Sequence, residues 1–66
     1  MKIVIIGSGN VAYHLARAFQ ENKILVSQLF GRNESDLKFI STQFQIPFST
    51  TQLADADLYL ICVSDS

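Results

Sequence analysis

Ile3-Val4-Ile5-Ile6 are four β-branched or apolar residues in unbroken succession, and they lead directly into Gly7-Ser8-Gly9-Asn10-Val11-Ala12. An apolar run of this kind is expected of a parallel strand buried on both faces. The segment after it has the form Gly-x-Gly-x-x-Ala, in which each small residue has a mechanical task. Gly7 permits a tight turn out of the strand. Gly9 lacks a Cβ, so a phosphate can come close to the backbone. Ala12 is small enough for the following helix to pack tightly on the strand. The first amides of that helix have no intrahelical partner and lie at the positive end of its dipole, which favours an anion.

The rest of the chain alternates between strand and helix patterns. The first strand is expected over about 2–6 and the first helix over about 10–21. Val11, Leu15, Ala18 and Phe19 form the apolar stripe of that helix, and Asn10, Tyr13, His14, Arg17, Gln20 and Glu21 its polar face. Asn22, a residue that tolerates a left-handed helix end, is expected to close it. A second strand is expected over about 24–30, ending at Gly31. A second helix follows over about 34–44, with Asn33 as N-cap, Asp36 three residues on, and Leu37, Ile40 and Phe44 facing inward. The third strand, near 45–49, contains Pro47 and belongs at a sheet edge. A short helical turn is expected over 51–54. The fourth strand, about 58–63, is continuously apolar and therefore expected to be central. These elements give an α/β fold class. They form the first half of a Rossmann-type dinucleotide-binding fold, a parallel sheet of strand order 3-2-1-4.

Sixty-six residues hold only one such half. Residues 1–66 are therefore expected to be the N-terminal part of a longer domain, or to take cover from a partner chain. The apolar faces of the first and fourth strands are expected to lack cover, which favours association into a homo-oligomer or partial disorder. The chain is 48% hydrophobic with a net charge of −1 and no basic block, which gives nucleic acid no electrostatic footprint. The apolar run after Met1-Lys2 is too short for a secretory signal, and no segment approaches a membrane span. The expected location is cytoplasmic.

The end of the second strand bears on which dinucleotide fits. An acid about twenty residues past the glycine turn accepts the ribose 2′-hydroxyl in NAD-binding proteins. Arg32 stands there instead, with no acid at Phe30, Gly31, Arg32 or Asn33. A guanidinium suits the 2′-phosphate of NADP, which makes NADP the expected cofactor ahead of NAD. Asn33 can add a neutral donor or serve only as a helix cap. Ser64, Asp65 and Ser66 follow the fourth strand, on the side where open α/β sheets bind ligands. Asp65 is expected in a turn or cap role. His14 belongs to the surface, and Glu34, Asp36 and Lys38 read as solvated charges. Cys62, the single cysteine, lies within an apolar run and reads as a small hydrophobe. No residues have metal-ligand spacing.

Gly7-Ser8-Gly9-Asn10-Val11-Ala12, Gly31-Arg32-Asn33 and 56–64 together resemble the NADP-binding domain shared by pyrroline-5-carboxylate reductases and coenzyme F420-dependent NADP oxidoreductases. The run ending in Val63-Ser64-Asp65-Ser66 is similar to bacterial Rossmann-like proteins of the F420-dependent type whose C-terminal domain is uncharacterised. The resemblance implies that Gly7, Ser8, Gly9, Asn10 and Val11 form the pyrophosphate turn. It implies that Arg32 holds the 2′-phosphate and that Val63 and Ser64 line the cofactor's ribose. Pyrroline-5-carboxylate reductases carry Lys-Pro where this chain has Ser64-Asp65, which argues against a pyrroline substrate. The expected function is to hold NADP(H) for hydride transfer to a small-molecule substrate bound by a further, C-terminal domain. The alternative is a non-enzymatic dinucleotide sensor or regulatory module.

Overall fold

The computed structural model describes residues 1–7 and 9–62. Its elements in chain order are β1 (Ile3–Ile6), α1 (Asn10–Glu21), β2 (Gln28–Phe30), α2 (Glu34–Phe44), β3 (Phe48–Ser49) and β4 (Leu58–Ile61). The strands form one parallel sheet in the order β3-β2-β1-β4. Both helices have the bounds that the sequence pattern predicts, and Pro47 leads into an edge strand as expected. Proline has no amide to donate, but its carbonyl accepts from the Leu29 N–H at 2.9 Å.

The helices pack on one face of the sheet. Ile5 and Leu29 lie opposite each other on β1 and β2. With Ala12, Ala16, Leu37, Ile40, Val26 and Ile46 they make the buried core. The buried line on α1 is Ala12 and Ala16, flanked by half-buried Leu15 and Phe19. Val11 is 50% exposed and Ala18 is also exposed, so the expected stripe is rotated. Apolar spacing alone does not distinguish a small residue from a large one. Close approach of a helix to a sheet selects the alanines. Tyr13, expected on the polar face, leans against α2. Its ring lies 5.9 Å from that of Phe39 and 5.2 Å from that of Phe44.

β1 is covered on both faces, contrary to the expectation that it would lack cover. Val4 is fully buried, which stabilises the fold by roughly 1.5–2 kcal/mol. It lies in register between Gln28 and Tyr59, so the three share the face opposite the helices. Both neighbours hold the β3–β4 connection. Gln28 Nε2 donates to the Gln52 carbonyl at 3.0 Å, and Gln28 Oε1 accepts from the Ala54 amide at 2.9 Å. The Tyr59 hydroxyl accepts from the Ala56 amide at 2.9 Å and donates to the Ala54 carbonyl at 3.0 Å. The helical turn expected over 51–54 does not form, because these side chains and Ser49 Oγ take up the loop's backbone groups instead.

Two strands start later than the pattern suggests. α1 closes with Lys23, not Asn22, in the left-handed region: Lys23 has φ 59°, Asn22 φ −96°. The Ile24 N–H donates to the Phe19 carbonyl at 2.8 Å, and the Lys23 N–H to the Gln20 carbonyl at 3.0 Å. This is a Schellman closure. It uses the Ile24 amide that a strand would need, and Leu25 stands 82% exposed. The ladder from β2 to β1 opens at Ser27, whose N–H donates to the Ile3 carbonyl at 2.7 Å. α2 ends the same way. Gln45 takes φ 57° and the Ile46 N–H donates to the Ser41 carbonyl at 3.1 Å, so residues expected to begin the third strand close the helix.

β4, expected to be central, pairs with β1 alone among the described residues. Leu58, Tyr59 and Ile61 are 39%, 39% and 70% exposed. Continuous apolarity reflects how much a strand would gain from cover; it does not supply the cover.

Candidate functional site

Three strand ends converge on Gly7. Its N–H donates to the Phe30 carbonyl at 2.6 Å at the end of β2, and the Cys62 N–H donates to the Ile6 carbonyl at 2.7 Å beyond β4. Gly7 has φ 129°, and a Cβ there would run into the Cys62 carbonyl oxygen. A Cβ on Gly31 would sit 3.3 Å from the Gly7 carbonyl oxygen. The glycine that leaves β1 is thus clamped by its neighbours, and the backbone at 31 packs against it.

Gly9 differs. Its φ of 87° also lies in the region that favours glycine, but a Cβ there would meet nothing within 4 Å among the described residues. The space is one that an anion could approach and a side chain would fill. Gly9 is the N-cap of α1 and makes no side-chain cap bond; the helix's first turn carries no acid. Its carbonyl accepts the Tyr13 amide at 3.0 Å, which leaves the amides of Asn10, Val11 and Ala12 ahead of the first intrahelical bond. The backbone here suits a phosphate: close access and amides at a positive dipole end.

α2 starts in the opposite state. Asn33 Oδ1 accepts the Asp36 N–H at 3.1 Å, and Glu34 and Asp36 occupy the first turn. Its N-terminus is answered from within the chain. Of the two roles open to Asn33, the cap is realised; its side-chain NH2 group points to no described partner. Arg32 lies exposed between Gly31 and this cap. The ion pair among the described residues is Arg17 with Glu21, at 3.5 Å. Asn10 and Val11 are exposed at the mouth of the turn. The expected site residues Ser8, Val63 and Ser64, and Asp65 beside them, lie outside the described residues.

A cavity of about 220 Å³ joins the first turns of the two helices, lined by Gly9, Asn10, Tyr13, Asp36, Phe39 and Ile40. Sequence reasoning missed Tyr13, Asp36 and Phe39 as neighbours of the glycine turn. Asp36 is partly buried rather than fully solvated. The available signal was its place in the first turn of the helix that follows Arg32. Burial pushes the Cys62 thiol up from its ordinary value, in keeping with a packing role. His14 is exposed, with its ring edge-on to Tyr13. Among the described residues, no three His, Cys, Asp or Glu side chains gather as a metal site, and no helix is long and apolar enough to cross a membrane.

No protein-family model and no curated protein matches the chain. A solved structure does: the crystal structure of a Bacteroides fragilis protein described as a "putative NADP oxidoreductase". The likeness covers 97% of this chain with a TM-score of 0.84 and 27% sequence identity. The chain spans 26% of that protein's length. The fold is that of an NADP oxidoreductase-like Rossmann domain in part: α/β, with a four-stranded parallel sheet in the order 3-2-1-4.

Proposed function

We propose that this chain is the NADP(H)-binding portion of an oxidoreductase, whose substrate is bound by protein outside these residues. The observation that carries the reading is the contrast between the two helix starts. α1 opens on Gly9 with open space at its Cβ position, no side-chain cap and no acid, whereas α2 is capped by Asn33. The likeness to an NADP oxidoreductase at 27% identity supports it, as does the resemblance of the glycine turn and Gly31-Arg32-Asn33 to the F420-dependent type.

In this reading the amides of Asn10 and Val11 hold the pyrophosphate, and Gly9 lets it reach them. Gly7 keeps the turn fixed between the ends of β2 and β4. Arg32 is exposed and pairs with the 2′-phosphate, where a guanidinium forms two parallel charge-assisted bonds. When bound, the nicotinamide supplies the hydride chemistry; the residues described here bind and orient. Titrating the protein into NADPH and following the cofactor's own fluorescence tests this, since the chain contains no tryptophan. Saturable binding is expected. Gly9→Val fills the approach and should weaken binding at least about tenfold, compared at a temperature where far-ultraviolet circular dichroism shows the variant folded. Equal binding by a folded Gly9→Val variant would contradict the assignment.

A further inference from the structure

Resting on the dinucleotide reading above, we propose that Asp36 accepts the hydroxyl edge of the adenosine ribose, so that the site takes NADH as well as NADPH. An acid near the end of the second strand is the usual partner of that hydroxyl, and none stands at 30–33. The fold supplies one from the next turn. Asp36 lines the same cavity as Gly9 and Asn10, which puts an acid on the wall of the space beside the glycine turn that would hold the pyrophosphate. The Asp36 amide is already taken by Asn33 Oδ1. Asp36 is partly buried, lines the cavity with Tyr13, Phe39 and Ile40, and has no ion-pair partner among the described residues. A carboxylate is acceptor-only and suits a vicinal diol; it repels a phosphate. Arg32, exposed at the end of β2, has the opposite preference. In the proposed site the two charges pull selectivity in opposite directions. The wild-type protein therefore discriminates between the cofactors only modestly.

The test is calorimetric titration of the full chain with NADPH and NADH, for the wild type, Asp36→Asn and Glu34→Gln. Glu34 removes the same charge from the same helical turn, but it does not line the cavity. Asp36→Asn should weaken NADH about tenfold, the loss of a charged hydrogen bond, and leave NADPH unchanged or tighter. Glu34→Gln should move both affinities by less than about twofold. If Asp36→Asn leaves the NADPH-to-NADH ratio unchanged, or Glu34→Gln shifts it equally, Asp36 has no such role although the dinucleotide reading stands. If the wild type binds neither cofactor, both fall. Asp36→Ser, shorter and uncharged, should repeat the Asp36→Asn ratio, and a normal ratio in a folded Asp36→Ser protein would overturn the proposal.

Discussion

Gly7 and Gly9 do two different jobs, and substitution separates them. Gly7 is conformationally constrained and sterically enclosed, since a Cβ meets the Cys62 carbonyl. Gly7→Ala should cost about 3–5 kcal/mol in urea unfolding, from backbone strain and overpacking together. Gly9→Ala incurs only the backbone part, about 1–3 kcal/mol, because its Cβ direction is open among the described residues. A Gly9→Ala loss as large as that of Gly7→Ala would show that the space at Gly9 is not open. Lys23 presents the reverse case: a side chain in a left-handed position where glycine costs nothing sterically. Lys23→Gly should raise stability by up to about 1 kcal/mol, read from the same unfolding curves. At Cys62, a thiol pKa raised by burial means less thiolate at any given pH. Alkylation at pH 8 should be slower than for a free cysteine and should approach that rate in denaturant.

At the scale of elements, the sequence made some features legible and hid others for a physical reason. The two helices and the Asn33 cap could be read because their signals are local: an apolar period, a cap residue, an acid three positions on. The starts of β2 and β3 could not. Ile24 and Ile46 are apolar and read as strand, yet each gives its amide to a helix closure, and that competition is decided by backbone geometry. The cover of Val4 is non-local as well. It depends on Gln28 and Tyr59, 31 positions apart in the chain, meeting the same loop. Of the candidate site, the glycine turn and Arg32 were legible from motif and spacing. Asp36 was not, because only the packing of α1 against α2 brings it to Gly9. The loop clamp is testable. Tyr59→Phe removes both hydroxyl bonds and should speed hydrogen exchange at the Ala56 amide, with about 1–2 kcal/mol lost from stability. Unchanged exchange at Ala56 would mean that the loop is held by other contacts.

For the whole molecule, the described sheet is complete on one side and open on the other. α1 and α2 cover one face and the β3–β4 loop part of the second, while β4 has an edge unpaired among the described residues, with Ile61 70% exposed. Such an edge invites pairing. The 66-residue chain studied alone should therefore associate with rising concentration in sedimentation, and Ile61→Lys should reduce it. The central claim concerns the cofactor rather than the assembly, and calorimetric titration of NADPH into the wild type and Arg32→Ala tests it most directly. Wild type should bind NADPH, and in parallel titrations Arg32→Ala should weaken NADPH at least about tenfold while leaving NADH unchanged. No binding of either cofactor, or identical NADPH affinity in the two proteins, would contradict it.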